Sequence, residues 1–184
     1  YLDNNVDPGT SEDRYAWTKE GYQVDSWKSA AGKFGAKNGA LGSLGGGYTP
    51  TVLLNQYIEG TSNDIPTFFF RTTVNVNSLD DLGSLTGNLY YDDAAIIYIN
   101  GIEVASFDKP SGGYDTNMSY GGSNDSNPRE GQINLTADQL KDVLKVGENV
   151  IAVELHQGRA SSSDVYFEFA NLQVNYGQTP IEQK

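Results

Sequence analysis

An alternation of apolar and polar side chains predicts β-strands along most of the chain. Residues 67–76 place Phe68 and Phe70 on one face and Phe69 and Arg71 on the other, which is the period-two pattern of a strand. Further strands are predicted at 89–99, 102–107, 132–135, 149–156, 165–170 and 172–176. About eight strands without a strand–helix–strand rhythm predict an antiparallel β-sandwich.

The stretch 90–104, YYDDAAIIYINGIEV, holds the strongest local signal. Asn100 and Gly101 stand between two apolar runs, and this pair favours a two-residue type I′ turn, in which both central residues need a positive φ. The stretch therefore predicts a hairpin with residues 89–99 and 102–107 as its arms. Two adjacent carboxylates, Asp92 and Asp93, lie within the first arm.

Residues 136–145 predict the one clear helix. Thr136 and Gln139 have the spacing of a capping box, Leu140 and Leu144 form the buried stripe, and Gly147 supplies the stop. The preceding residues, 108–131, form a long polar segment rich in glycine. Loops of this length in compact domains are uncommon and are often functional.

Residues 1–47 predict irregular structure. They hold both tryptophans, Trp17 and Trp27, but too few apolar residues to bury a core alone. We therefore expect a single domain over 1–176, followed by a polar linker over 177–184.

Charge and composition exclude several classes of function. The chain has 24 acidic and 12 basic residues, for a net charge of −12, and such a surface repels the phosphates of nucleic acids and anionic lipids. No apolar run approaches the roughly 20 residues of a membrane span. With one histidine and no cysteine, a zinc site of the usual kind and a two-metal phosphoesterase centre are also excluded. The charge favours a soluble protein, which leaves a cation or a neutral polymer as partners.

Three segments in one order carry a family resemblance. They are 91–104, 146–157 (VGENVIAVELHQ) and 161–167 (SSSDVYF). Together they resemble the galactose-binding-like jelly-roll module of secreted bacterial multidomain proteins, which stands beside calcineurin-like phosphoesterases, spore-coat-kinase-like or lamin-tail proteins and glycoside hydrolases. The hairpin with Gly147 and Asn149 is also similar to the sugar-binding jelly roll of family 2 glycoside hydrolases. One departure is Ala105-Ser106-Phe107, where the module usually has an arginine.

The resemblance implies a jelly-roll β-sandwich with one short helix, at the cell surface or outside the cell. It implies a non-catalytic accessory module but does not give a ligand. The first hypothesis is a module that binds a glycan or cell-wall polysaccharide. The alternative is a spacer that packs against a neighbouring catalytic domain of the same polypeptide without a ligand of its own. An independent enzyme is the last hypothesis, and we expect a monomer.

Asp92 and Asp93 are candidate metal ligands. Ca²⁺ takes six to eight oxygens, several of them from carboxylates, and the resemblance implies a structural calcium ion. The alternative is that one aspartate caps a turn and the other is solvated.

His156 is the only histidine and lies eight residues before Asp164. If the chain folds back after residue 158, the two side chains meet, either as a structural hydrogen bond or as contacts to a ligand. A catalytic base is not expected, since neither a nucleophile elbow nor a cysteine accompanies the histidine.

Tyr114 and Tyr120 lie in the polar loop and are candidates for stacking on a sugar ring. The C–H face of a sugar packs on an aromatic ring, while carboxylates and amides bind the hydroxyls. Arg71 is a further candidate ligand clamp, and its alternative is a structural ion pair. The predicted ligand-binding residues are therefore Tyr114, Tyr120, His156, Arg71 and Asp164.

Overall fold

The computed structural model describes residues 1–123 and 127–177, and within them nine strands form two facing sheets. The strands are β1 Phe34–Lys37, β2 Val52–Leu53, β3 Thr67–Val76, β4 Leu82–Asp92, β5 Ala94–Ile99, β6 Ile102–Phe107, β7 Arg129–Thr136, β8 Gly147–His156 and β9 Asp164–Tyr176. One sheet has the order β2-β1-β9-β4-β7 and the other β3-β8-β5-β6. All pairs are antiparallel except β1 with β2. The predicted all-β jelly-roll sandwich is confirmed.

The main core lies between the sheets. Alternate residues of β4, Leu85 and Leu89 among them, are buried there, and they face Ile97 and Ile99 of β5. From Glu130 to Thr136, β7 alternates between exposed and buried residues, as expected for a strand with one face on the core and one in solvent.

A third layer covers the outer face of the four-stranded sheet. Trp17 is fully buried and its ring packs edge-on against Phe69 and Tyr98. Trp27 and Tyr114 add to the same apolar cluster. The prediction of irregular structure over 1–47 is wrong at β1, which lies within that range. The residues before β1 pack on the four-stranded sheet and bury the second face of β5, all six residues of which are buried.

The prediction of one strand over 89–99 is wrong. The chain leaves β4 after Asp92 and enters β5, in the opposite sheet, at Ala94. The peptide between Asp92 and Asp93 is cis. The turn of the predicted hairpin is confirmed, because Asn100 and Gly101 have φ of 48° and 87° and join β5 to β6.

The predicted helix over 136–145 is shorter. Helix α1 spans Ala137–Leu140 and begins with the predicted capping box of Thr136 and Gln139. After Leu140 the chain continues in turns, in which Leu144 donates its N–H to the Leu140 carbonyl at 2.8 Å. The side chain of Asn149 then bonds both the backbone N–H and the carbonyl of Lys145, each at 2.9 Å. Such a side-chain bond competes with the helical backbone ladder.

Two further boundaries differ from the sequence prediction. The segments 165–170 and 172–176 belong to the single strand β9, which passes through Asn171 at a φ of 55°. β7 begins at Arg129, so the polar loop ends before residue 131.

The single domain over 1–176 remains a prediction. Of the predicted linker, Gly177 donates its N–H to the Asp81 carbonyl at 2.6 Å, and residues 178–184 lie outside the described residues. No helix in the described part of the chain has the length and apolar character needed to cross a membrane.

Candidate functional site

An open cleft of about 360 Å³ lies on the outer side of the four-stranded sheet. The N-terminal segment forms one wall, the loop after β6 forms another, and β5 and β8 form the floor. The aromatic and charged residues that line it include Tyr15, Tyr98, Tyr114, Glu103, Lys109 and Glu154. The cleft therefore combines three tyrosine rings with charged groups of both signs.

Tyr98 and Glu154 form the floor of the cleft. The Tyr98 hydroxyl donates a hydrogen bond of 2.9 Å to Glu154 Oε1. Burial and the neighbouring carboxylate raise the pKa of Tyr98, which keeps the hydroxyl protonated as a donor. Glu154 is fully buried, and its Oε2 has no hydrogen-bond partner among the described residues.

His156 lies beside Glu154 and is also fully buried. Its Nδ1 is 2.7 Å from the Ser119 carbonyl oxygen, which can only accept, so Nδ1 carries a hydrogen. The Thr67 hydroxyl donates to the Asn117 carbonyl at 2.6 Å and lies 3.2 Å from the same Nδ1. The tautomer of the ring is therefore fixed by its neighbours.

The second ring nitrogen faces a carboxylate oxygen. His156 Nε2 lies 3.6 Å from Glu154 Oε2, and neither atom has a hydrogen-bond partner in the described part of the chain. These two buried atoms therefore face each other beneath the cleft.

Tyr114 forms the wall of the cleft above His156. The two rings are stacked, with centroids 3.6 Å apart and planes 8° from parallel. The Tyr114 hydroxyl donates to the Gly121 carbonyl, and Arg14 donates to the carbonyls of Tyr114 and Asp115, each at 2.8 Å. The long loop is therefore tied down where it borders the cleft.

Tyr15 forms the opposite, more exposed side. Its ring lies 5.7 Å from that of Tyr98, and the Arg14 guanidinium lies 4.9 Å from its centroid. At the rim, Lys109 and Glu103 form an ion pair of 2.8 Å. Surface pairs of this kind contribute little to stability, so both groups are available to a ligand.

Asp92 and Asp93 occupy the edge of the sandwich where β4 passes to β5. Asp93 Oδ2 accepts the Gly158 N–H at 2.6 Å. Asp92 Oδ2 has no hydrogen-bond partner among the described residues. Burial, followed by the hydrogen bond and the charge of Asp93, raises the pKa of Asp92 to about 10.

Asp64 is a second buried acid at this edge. Gln157 Nε2 donates to its Oδ2 at 2.7 Å, and Gln56 Nε2 lies 3.4 Å from the same oxygen. Burial raises the pKa of Asp64 to about 7, with the nearby charges of Asp164 and Asp93 acting in the same direction. Three acids with raised pKa values, Asp64, Asp92 and Asp164, therefore lie at one edge of the molecule.

The predicted ligand residues are distributed over three places. Tyr114 borders the cleft and His156 lies beneath it. Tyr120 is at the edge, where its hydroxyl donates to the Asp64 carbonyl. Asp164 also lies at this edge and accepts from the Ser163 hydroxyl at 3.0 Å. The expected contact between His156 and Asp164 is replaced by the contacts of His156 with Thr67, Ser119 and Glu154.

Arg71 lies outside the cleft. Its guanidinium donates to the carbonyls of Trp17 and Lys19, the latter at 3.0 Å, and thereby holds the N-terminal segment against β3. These bonds to carbonyls take the place of the expected ion pair. Arg71 also borders a smaller cavity of about 240 Å³ beside Tyr1, and its role in ligand binding stays a prediction.

The sequence interpretation did not include Glu154 or Tyr98. Glu154 and His156 share one face of an otherwise apolar strand, and this pattern was the available signal. Tyr98 is three residues before Gly101 and looked like an ordinary core residue of the hairpin. Tyr98 and Glu154 come together because β5 pairs with β8, with Ile96 opposite Glu154.

The edge of the sandwich where β4 passes to β5 offers only part of a metal site. Asp92 and Asp93 supply two carboxylates, and within residues 1–123 and 127–177 no three His, Cys, Asp or Glu side chains are grouped as metal ligands. A Ca²⁺ ion here would need most of its six to eight oxygens from carbonyls and water.

Comparison with known proteins reveals no family. No protein-family model matches the chain, and no curated protein matches it. Among solved structures, an α-L-rhamnosidase from Aspergillus terreus aligns at 13% identity and a TM-score of 0.38, over 85% of this chain and 16% of the enzyme. A β-glucosidase from Kluyveromyces marxianus aligns at 14% identity and a TM-score of 0.38, over 83% of this chain and 17% of the enzyme. A family 35 carbohydrate-binding module from an environmental isolate aligns at 14% identity and a TM-score of 0.36, over 83% of this chain and 96% of the module. The chain thus spans less than a fifth of either glycosidase, and likeness at these scores supports no conclusion about function.

Proposed function

We propose that the chain is a non-catalytic module that binds carbohydrate in the cleft between the N-terminal segment and the loop after β6. The observation that supports this most is the lining of the cleft, where Tyr15, Tyr98 and Tyr114 surround a space of about 360 Å³. Ligand sites are typically concave, largely pre-formed and lined by aromatic side chains with a few polar groups.

The chemistry of the lining fits a sugar. Tyrosine presents a flat apolar ring with a polar tip, so a ring can pack on the C–H face of a sugar while the hydroxyl bonds its oxygens. Glu103 and Lys109 at the rim add one acceptor and one donor group that can bind hydroxyls. The bonds made by Arg14 hold the loop in place, so little ordering is needed when a ligand binds.

Removing the Tyr15 ring tests the cleft. In a panel of cello-, xylo-, manno- and galacto-oligosaccharides, we expect saturable binding of at least one by isothermal titration calorimetry. Tyr15→Ala should weaken it about tenfold, because a lost aromatic contact is worth about 1 to 1.5 kcal/mol. Tyr114→Ala should weaken it at least as much, since the wall of the cleft is lost.

Tyr15→Phe is the matched control, because it keeps the ring, and it should bind within about twofold of the original chain. Binding that is unchanged in both alanine variants would place the ligand elsewhere. Binding of no oligosaccharide in the panel would favour the alternative of a spacer module without a ligand. Turnover of a glycoside or a phosphate ester by this chain would contradict both.

We also propose that the module works outside the cell or at its surface, beside a catalytic domain of the same polypeptide. The support is the resemblance of the segments 91–104, 146–157 and 161–167 to modules of secreted proteins. A monomer remains the expectation and is measured by light scattering.

Calcium at Asp92 and Asp93 stays a prediction. A bound ion would stabilise the fold by mass action, so the melting temperature at pH 7.5 should be higher in 1 mM CaCl₂ than in EGTA. Asp92→Asn should remove that difference. Equal melting temperatures, with no calcium found by elemental analysis, would contradict the prediction of a calcium site at Asp92 and Asp93.

A further inference from the structure

The outer face of the five-stranded sheet is built from amides and hydroxyls. The strand register forms three rows across β7, β4 and β9: Gln132 with Asn88, Asn134 with Thr86 and Gln173, and Thr136 with Ser84 and Asn175. The residues between them on β4 and β7, such as Leu85, Leu89 and Ile133, are buried in the core. Because successive side chains of a strand point to opposite faces, the three rows point outward.

The three rows contain no charged residue, although the chain as a whole has a net charge of −12. The nearest charged residues in register are Glu130 and Glu168, which flank Tyr90 at one end of the rows. No lysine or arginine belongs to the rows, so this face has nothing to offer a phosphate or a carboxylate polymer. A neutral partner fits this face best.

Several of these amides are free to bind a ligand. The side chains of Asn88, Gln132, Asn134 and Gln173 make no hydrogen bond with any residue of 1–123 or 127–177, whereas Asn175 Nδ2 donates to Ser84 and Thr86 at 3.1 and 2.9 Å. Each free amide has two N–H donors and one carbonyl acceptor. A row of such groups matches the hydroxyls of a sugar chain, which both donate and accept.

A bulge in β9 shapes the face into a shallow groove of about 300 Å³. The register of β4 and β9 shifts between Thr86 and Asn88, opposite Asn171 at its positive φ. A Cβ on Gly87 would lie 3.1 Å from Leu172 Cα, so glycine permits this close approach. Bulges bend a strand and re-aim its side chains, and here Thr86, Asn88, Gln132, Asn134 and Gln173 all line the groove.

An aromatic pair ends the rows. The Tyr90 ring lies 5.6 Å from that of Tyr48, which packs edge-on against Tyr166 at 5.4 Å. Tyr48 and Tyr90 are half-buried. A polymer that follows the rows would therefore meet aromatic rings at one end and amides along the rest.

We infer that this face is a second binding surface, which takes an extended strand of neutral polysaccharide. The inference does not rest on the cleft, which lies on the outer side of the other sheet. A protein partner fits less well, because the fully buried centre of a protein interface is rich in aromatic and apolar side chains. The centre of this face consists of amides.

The test uses native affinity gels that contain hydroxyethylcellulose, xylan or galactomannan. The whole chain should be retarded by at least one of them. The triple variant Gln132→Ala, Asn134→Ala and Gln173→Ala should need at least tenfold more polysaccharide for the same retardation. All three side chains are exposed, so its melting temperature should stay within about 2 °C of the original.

Two controls separate this surface from the cleft. Gln23→Ala with Asn75→Ala removes exposed amides elsewhere and should leave the retardation unchanged. In a Tyr15→Ala background, where the cleft is weakened, adding the triple substitution should still lower the remaining retardation. The inference is overturned if none of the three polysaccharides retards the chain, or if the triple variant is retarded as strongly as the original. It is also overturned if Tyr15→Ala alone abolishes retardation, or if polygalacturonate retards the chain equally well.

Discussion

Raising the pH from 5 to 9 in the presence of EGTA is expected to lower the melting temperature by at least roughly 10 °C. Burial raises the pKa of Asp64 to about 7 and that of Asp92 to about 10, whereas an aspartate in an unfolded chain titrates near 3.9. The folded chain therefore holds protons that the unfolded chain releases. Stability is fully present below pH 4 for these two groups and is lost between pH 4 and 7 for Asp64 and between pH 4 and 10 for Asp92.

The size of this effect follows from proton linkage. Each extra proton in the folded state costs up to about 1.4 kcal/mol of stability per pH unit. For a domain of this size, 1 kcal/mol corresponds to about 2–4 °C in melting temperature. The direction is opposite to that of a protein whose carboxylates are held ionised by salt bridges.

The substitution Asp92→Asn measures how much Asp92 alone contributes to the pH dependence of the melting temperature. Asparagine occupies the same space and cannot ionise, so we expect the variant to melt higher than the original chain at pH 9, with a much smaller difference at pH 5. Thermal melts followed by circular dichroism at five pH values measure this. A flat melting temperature from pH 5 to 9 in the original chain would show that the two acids are ionised in the fold without cost.

Asn149→Ala is expected to lower the free energy of unfolding by about 3 kcal/mol. The Asn149 side chain is fully buried and makes four hydrogen bonds. Its Oδ1 accepts from Lys145 N and Asn100 Nδ2, each at 2.9 Å, and its Nδ2 donates to the carbonyls of Lys145 and Gly147, at 2.9 and 3.0 Å. Removal takes one hydrogen bond from each of these part-buried groups, at roughly 1 kcal/mol each before water or local relaxation compensates, and Asn100 Nδ2 keeps its bond to the Val143 carbonyl.

Urea denaturation measures the Asn149 effect. Asn75→Ala is the matched control, because Asn75 is exposed on β3 and its Nδ2 bonds only Asn77 Oδ1, at 2.8 Å; it should change stability by less than about 0.5 kcal/mol. A loss below 1 kcal/mol for Asn149→Ala would show that water replaces the asparagine.

Local signals in the sequence were sufficient for much of the fold. The alternation at 67–76 and the Asn100–Gly101 turn predicted β3 and the β5–β6 hairpin, since both depend on neighbours in the chain. The break at Asp93 was not predictable in the same way. Asp92 and Asp93 stand in one run of strand-forming residues, and only the packing of two sheets decides that the chain changes sheet there.

The candidate sites depend even more on distant contacts. The cleft joins Tyr15, Tyr98, Tyr114 and Glu154, which come from four separate parts of the chain. Tyr114 was predicted because a tyrosine in a polar loop is a typical ligand contact. Tyr98 was not predicted, because a tyrosine inside an apolar strand is ordinarily a core residue. Here the N-terminal segment packs beside Tyr98 on the outer face of the sheet, so that Tyr98 lies at the floor of the cleft.

The position of β9 in its sheet determines when the five-stranded sheet can form. β9 is the last strand among the described residues but the middle strand of its sheet, where it pairs with both β1 and β4. During synthesis this sheet stays in two halves until residues near 176 have left the ribosome. Such late, long-range pairing is slow in β-sandwiches. A protein shortened before Asp164 would not lose an edge strand, because its five-stranded sheet would fall into two separate pieces.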